Sequence, residues 1–355
     1  EDLALAPTLD GVDVMVAGGG DEVLANPGDL LIPGHEGMIY GPYPMTATDF
    51  DGTQVPVVTT AGNYAYAGRL VVGFDKDGNV IDIGGNSGPV RVAGGDNPDA
   101  VMPDPWVQTL VVDPVVTYLE DLATNVIGTS EVDLDGIRGH VRTVETNEGD
   151  LIADSLKWQA EQLAGDFGVT VPDVALQNGG GIRNDSTIPA GDVTELDTFD
   201  MLPFPNYVSV LEDIPPEQFK EIMENAVSRV ELGDGRFAQI SGFTFLWDAA
   251  GTPQELDDAG NVVTPGTRVV TIELDDGTDI VQAGAVVPGA PDVTIATIDF
   301  LAKGGDQYPY RGAAFTTLGV TYQQALANYI VDGLGGVIAA GDYPEGGEGR
   351  ITRLN

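Results

Sequence analysis

The chain has 355 residues, 42% of them hydrophobic, with 48 Gly and 23 Pro, enough apolar material for two cores and enough turn residues to exclude disorder or a helical bundle. Against 56 Asp plus Glu stand 15 Lys plus Arg, a formal charge of −41, which argues against nucleic acid or an anionic membrane as a general partner. Cysteine is absent, which excludes disulfides and thiolate chemistry, and no apolar run of about 18 residues predicts a membrane span or, within this numbering, a signal peptide.

In chain order, "VDVMVAGGG" (Val12 to Gly20) predicts a buried strand running into a glycine turn, and "VPVVTTAG" (Val55 to Gly62) a second strand. The stretch "GRLVVGFDKDGNVIDIGG" alternates, turns at "KDGN" and resumes, the pattern of a hairpin with Asp-Gly at its tip. From Asp113, "DPVVTYLEDLATNVI" has helical spacing and a Pro in its first turn, and predicts a helix able to join two domains. "LIADSLKWQAEQLAGDFG" predicts a helix stopped by glycine, "VPDVALQNGGG" a strand entering a loop, and "PPEQFKEIMENAVSRV" a helix with Pro at its start. Strands in "RVVTIELDDG" and "TIATIDF" and a helix from Thr321 complete a mixed α/β second half. Ala249 to Gly266 is polar and rich in Gly and Pro, which predicts a hairpin excursion.

The chemistry concentrates around "QNGGGIR". Asn178 offers a donor and an acceptor, Gly179 to Gly181 allow close backbone approach with exposed N–H groups, and Arg183 adds a fork suited to an oxyanion. A tight turn alone would explain the glycines equally well. In so acidic a chain the pair Arg138 and Arg142, with His140 between them, is either paired to carboxylates or held for an anion. Phe204 and Phe300 sit in irregular, Pro- or Gly-rich settings, where they are either core rings at strand ends or two faces for a flat ligand. Asp306 is a carboxylate able to accept from vicinal hydroxyls. The few Lys, only four, and the scattered carboxylates predict a hydrated surface adapted to salty water.

"RGHVRTVETNEGDLIAD", "QNGGGIR", "LPFPN", "FAQISG" and "DFLAKGGDQY" stand in the order and approximate spacing of the C-terminal domain of the secreted 5'-nucleotidases. The chain resembles that family, which also includes UDP-sugar hydrolases and cyclic-nucleotide phosphodiesterases, from about Arg138 to its end. The resemblance implies that Arg138, Arg142 and Arg183 close around a nucleotide, with Asn178 and Gly180 beside them. It implies that Phe204 and Phe300 stack on the base, that Asn206 contacts it, and that Asp306 takes the ribose hydroxyls. Two positions depart from the pattern: Gln307 stands where the family usually has Gly, and Ile298 where Asn is frequent, which bears on base preference.

Upstream, "GVDVMVAGGGDEVLANPGD" and the strand pair after it look like the last part of the family's metallophosphatase domain. Gly19 then stands at a histidine ligand position and Asp21 at a second ligand position, and glycine cannot replace an imidazole. His35 is either a stray ligand or a surface loop residue, and His140 is expected to point away from the arginines at strand spacing. The remaining ligand segments and the catalytic His-Asp pair would precede residue 1, so no catalytic residue is expected in this chain, which reads as part of a longer protein.

The implied fold is α/β with mixed sheets. The C-terminal part of a calcineurin-like metallophosphatase domain, an incomplete β-sandwich, is expected over 1–112. A linker helix follows over 113–132, and a 5'-nucleotidase-type substrate-binding domain over 133–355. The implied activity of the full-length protein is hydrolysis of nucleoside 5'-monophosphates with two divalent cations (Zn, Mn, Mg or Ca class), this chain supplying substrate recognition, with the second domain swinging about the linker helix. The alternatives are a UDP-sugar hydrolase or 2',3'-cyclic phosphodiesterase, and a non-catalytic nucleotide-binding or cell-surface protein. The expected partner is a small nucleotide rather than nucleic acid, the location periplasmic or extracellular, and the oligomeric state is left open.

Overall fold

Short strands dominate the first part of the chain, as its Gly and Pro content requires. The computed structural model describes residues 2–354, which fall into two units, Glu1–Val112 and Asp113–Asn355. In the first, Gln54–Val58 lies between Met15–Val16, parallel to it, and Met45–Thr48, antiparallel. The strand predicted over Val12 to Gly20 is thus only Met15–Val16, because the glycines leave extended geometry, Gly19 with φ +87°. The predicted hairpin forms from Val72–Phe74 and Val80–Ile83. Its turn is closed by Asp75, whose carboxylate accepts from the backbone N–H groups of Asp77 (2.8 Å) and Asn79 (2.9 Å).

In the second unit the helix predicted from Asp113 runs Asp113–Thr124. It stops before Val126 and Ile127, which join the strand Val126–Ser130 against Gly191–Thr194. The β-branched pair is better accommodated in the ladder than on a fraying last turn. The predicted excursion after Ala249 is a small hairpin, Glu255–Leu256 against Val262–Thr264.

The centre of this unit is a five-stranded sheet in the order Ala238–Ser241, Val174–Asn178, Val293–Ile298, Tyr207–Ile214, Thr316–Thr321. Val174–Asn178 and Val293–Ile298 are parallel and buried along their whole length, which is why neither shows the strict apolar-polar alternation of a half-exposed strand. Their neighbours Ala238–Ser241 and Tyr207–Ile214 run antiparallel to them. One edge of the sheet therefore collects the C-termini of two strands and the N-termini of the other two. Asn178 faces Ala238 and Ile298 faces Val208 across that edge, and the loops leaving it belong to "QNGGGIR", "LPFPN", "DGRFAQISG" and "DFLAKGGDQY". Motifs scattered over more than a hundred residues are brought together by topology alone.

The helix Asn147–Phe167 packs on this sheet. Thr146 caps it by accepting from Gly149 N (3.0 Å), and Gly168, left-handed at φ 66°, ends it as the sequence predicts. Its first turn is unusual because Asn147, Glu148 and Asp150 are fully buried. Burial pushes the carboxyls of Glu148 and Asp150 up to about 8; Asn184 opposes the shift at Glu148 and Arg350 opposes it at Asp150. The unfolded carboxyls titrate near ~4, so the folded state retains protons that the unfolded state has released. The stabilisation is complete below the unfolded value and is lost as pH rises through about 8. Carboxylates held down by a partner, such as Asp99 beside Arg91, act in the opposite sense at lower pH. Urea unfolding midpoints should therefore be lower at about pH 8.5 than at about pH 5.5, with Asp150→Asn removing part of the difference; equal midpoints would contradict the assignment.

Candidate functional site

At the loop-bearing edge of the sheet lies a cavity of about 400 Å³ bordered by Arg142, Asn178, Gly180, Arg183, Phe204, Asn206, Phe300 and Asp306, together with Gly181, Pro205, Gly235 and Ile298. Of the nine predicted substrate-contact residues only Arg138 is outside this lining. It is exposed on the helix Arg138–Val141, close enough for its charge to act on Arg142. That helix also corrects the expectation for His140. It is not placed by strand alternation but turns its Nδ1 to Asp135 at 2.7 Å.

The glycines are required by packing. A Cβ on Gly179 would run into the carbonyl oxygen of Val141, and one on Gly180 would lie 3.0 Å from the Cα of Gly235. The N–H groups of Gly179 and Gly180 are not exposed donors, as the sequence suggested, but are satisfied by the carbonyls of Phe237 and Gly235, each at 2.7 Å. The turn serves by letting three backbone segments approach one another.

The three arginines are grouped without a carboxylate partner. Lys76, Arg91, Lys157, Lys220, Arg236, Arg268, Lys303, Arg311 and Arg350 each stand within ion-pair distance of a carboxylate. Among the described residues, Arg138, Arg142 and Arg183 form no such pair, nor do Arg69 and Arg229, but only the first three are grouped, the charges of Arg138 and Arg183 both acting on Arg142, in a chain where carboxylates outnumber cations more than threefold. Arg142 is only 8% exposed, donates to Gly233 O at 3.3 Å and keeps a buried Nε without a partner. Burial, followed by the charges of Arg138 and Arg183, pushes its guanidinium pKa down, while Asp306 and Asp234 oppose the shift. Removing a cation from water beside two others is tolerated where an anion completes the set.

Phe204 and Phe300 are 41% and 42% exposed, so they are not core rings. Arg183 stands over the Phe204 ring at 5.5 Å. The two aromatic segments are tied together, since Asp299, preceding Phe300, accepts from Tyr207 N at 2.9 Å. Tyr322, fully buried, accepts from Phe204 N (3.0 Å) and donates to Gly181 O (3.3 Å), joining the aromatic loop to the glycine turn. Gly305 leaves room for the Phe300 ring, which a Cβ would strike.

Asp306 is half-buried, and burial raises its pKa, with Asp234 adding to the rise and Asn178, Arg236 and Arg142 opposing it. Asn178 Nδ2 donates to its Oδ2 at 2.6 Å, and Asn178 Oδ1 accepts from Gln177 Nε2 at 2.9 Å. Asn178 thus orients Asp306 as well as bordering the cavity.

Three supporting residues were not singled out in the sequence. Arg236, 6% exposed, holds Asp234, Asn225 and Gln307, and Asn225 in turn donates to Asp306 O. Gln239 Nε2 donates to Val141 O (3.0 Å) and Val144 O (2.8 Å), fixing the loop that carries Arg142. Tyr322 is the third. The rarity of Arg could have drawn attention to Arg236, and Gln239 lies within the motif "FAQISG", to which the resemblance assigns no role; nothing in a single sequence marks Tyr322.

The first unit contains a larger cavity, about 870 Å³, beside Gly18 to Gly20, but no charged side chain lines it. Asp21 is exposed and accepts from Gly62 N at 3.2 Å, Gly19 offers no donor, and His35 Nδ1 meets the Tyr66 hydroxyl at 3.1 Å. Among the described residues no three His, Asp or Glu gather as a metal site. One carboxylate engaged with backbone does not fit a two-cation centre, and the described residues supply no such centre.

A family model described as "5'-nucleotidase, C-terminal domain" matches residues 126–312. A trifunctional nucleotide phosphoesterase protein of Bacillus subtilis is 30% identical over 283 residues, covering 79% of this chain and 17% of that protein. A snake venom 5'-nucleotidase of Macrovipera lebetinus is 30% identical over 314 residues, 87% of this chain and 70% of the relative. Among solved structures, a 5'-nucleotidase precursor from Thermus thermophilus matches with TM-score 0.58 and 29% identity, over all of this chain and 62% of that one. The chain thus spans only part of each of these proteins.

Gly179→Ala, which sets a Cβ against the Val141 carbonyl, is expected to destabilise the chain by about 1–3 kcal/mol in urea unfolding. Gly165→Ala, in the same long helix as Glu148 and open around its Cα, should be neutral or stabilising by up to ~1 kcal/mol. Equal effects at the two positions would remove the packing argument.

Proposed function

The chain belongs to the family of the 5'-nucleotidase C-terminal domain, and on that premise we propose that it recognises nucleoside 5'-monophosphates for a phosphohydrolase that releases nucleoside and phosphate. The observation that carries the reading is the set of three arginines without carboxylate partners beside a cavity bordered by two exposed aromatic rings and Asp306. Arg142 and Arg183, with Arg138 at the rim, take the phosphate, the guanidinium fork matching its oxygens. Phe204 and Phe300 hold the base by stacking, with Asn206 at its edge, and Asp306 accepts from the ribose hydroxyls. Binding energy collected at the base and ribose orients the phosphate, which is what a hydrolytic step needs from a recognition domain. Two divalent cations, held in the full-length protein by residues other than those described here, would supply the water activation.

The location and surface belong to the same proposal. A venom relative supports work outside the cytoplasm. No helix among the described residues is long and apolar enough to cross a membrane. The charge of −41 fits an environment where salt screens carboxylate repulsion.

Calorimetric titration of this chain with AMP and with adenosine separates the parts of the site. Phe300→Ala is expected to weaken both ligands by about tenfold, from the loss of one stacking face. Arg183→Ala should weaken AMP by a similar factor and leave adenosine unchanged. Absence of AMP binding, or equal losses for both ligands in Arg183→Ala, would overturn the assignment of phosphate to the arginines.

A further inference from the structure

Glu148, the second residue of the helix Asn147–Phe167, is fully buried beneath the loops that carry two of the arginines. Its Oε2 accepts from Asn184 Nδ2 at 3.0 Å, and the same Nδ2 donates to Ser186 O at 3.3 Å. The two amide hydrogens of Asn184 are thereby used and its orientation is fixed, leaving Oδ1 as an acceptor. Asn184 Oδ1 and Glu148 Oε1 are both buried and neither has a donor. They border the same small space, because a Cβ on Gly136 would clash with both. Two acceptors facing one pocket are unfavourable unless a hydrogen lies between them.

We propose that Glu148 is a positioning residue that carries a proton, its Oε1–H donating to Asn184 Oδ1 and so clamping the Arg183 loop against the Arg138 segment. The connection is short. Asn184 follows Arg183 directly, Asp185 accepts from Arg138 N at 2.9 Å, and Gly136 N donates to Ser186 O at 3.1 Å. The surroundings favour the neutral acid. Burial is the largest cause of a pKa pushed up to about 8, and Asp135 and Asp197 raise it further, with only the Asn184 amide opposing. Asp135 is itself paired with His140, Arg183 and Asp185 flank Asn184, and Asp150 lies on the same helical turn. Loss of the proton leaves a buried carboxylate against an amide oxygen, and the clamp opens.

The proposal rests on the nucleotide reading only in its affinity arm, so the test has two arms, both on the whole chain. In the first, the Glu148 carboxyl and the Asn184 side-chain amide are followed by NMR from about pH 6 to about pH 9.5. Both are expected to titrate together near pH 8, and a Glu148 midpoint in the ordinary carboxylate range would overturn the proposal whether or not AMP binds. In the second, AMP affinity is measured over the upper half of that range, where the phosphate, with its second pKa near ~6, no longer titrates. The wild-type affinity should fall about tenfold toward alkaline pH. Glu148→Gln, which donates and accepts like the protonated acid, should keep the neutral-pH affinity and lose the alkaline fall, and Asp150→Asn should retain the fall. A Glu148→Gln variant that falls with pH as the wild type does, or that is tenfold weaker at neutral pH, would refute the clamp. Failure of AMP to bind at any pH would count against the nucleotide reading, with the NMR arm still deciding the proton.

Discussion

The site depends on how closely the Gly179 to Gly181 turn can approach its neighbours. With no Cβ in the way, the end of Val174–Asn178 lies against the Val141 carbonyl on one side and Gly235 on the other. Gln239 completes the junction by donating to Val141 O and Val144 O, and the lack of a side chain at Gly149 leaves room for it. This packing sets Arg142, on the far side of Val141, beside Arg183, which leaves the turn. The same strand end presents Asn178 to Asp306. A side chain at any of these glycines moves both ends of the cavity together, because the cationic and acidic walls share one backbone junction.

Under the proposed reading, the charge distribution carries an opposition that salt would resolve. At −41 the chain would repel the proposed anionic ligand at long range, while the arginines would attract it at contact. Screening acts on these unequally. The Debye length is about 3 Å at 1 M salt, which removes the repulsion of distant surface carboxylates and leaves direct contacts in a partly desolvated cavity much less affected. Pairing Arg142 or Arg183 to a carboxylate would have made the folded chain easier to stabilise, yet the pairing is found at Arg236, Arg268 and Arg350 and not at these positions.

Features governed by local backbone preference were legible in the sequence. The hairpin at "KDGN", the helix ending at Gly168, the Pro-initiated helix Pro216–Ala226 and the buried runs Val174–Asn178 and Val293–Ile298 follow from periodicity and turn chemistry. Features decided by tertiary contact were not. The arginine segment reads as extended but forms the helix Arg138–Val141, because Ile137 O accepts from both His140 N and Val141 N once the chain turns into the sheet edge. The glycine N–H groups read as ligand donors, but Phe237 and Gly235, about 55 residues further on, take two of them. Most of the cavity residues could be named because side-chain chemistry is visible in a sequence. The bracing roles of Gln239, inside "FAQISG", and of Tyr322 could not, because the side chain of a single Gln or Tyr does not name its distant partners.

Gln307 shows how a departure from a motif is absorbed. Asp306 and Gln307 both have left-handed backbones, φ 51° and 57°, where glycine is at ease and a side chain costs on the order of 1 kcal/mol. Asp tolerates that region comparatively well; Gln less so. In this chain the cost at Gln307 is offset by its amide oxygen, which accepts from Arg236 at 3.3 Å. Arg236 also binds Asn225, and Asn225 binds the carbonyl of Asp306. The side chain that glycine would have omitted is therefore joined to the network that holds Asp306 at the cavity. A substitution that looks like a loss of backbone freedom becomes a brace for the residue beside it, and the carboxylate keeps its place without a glycine following it.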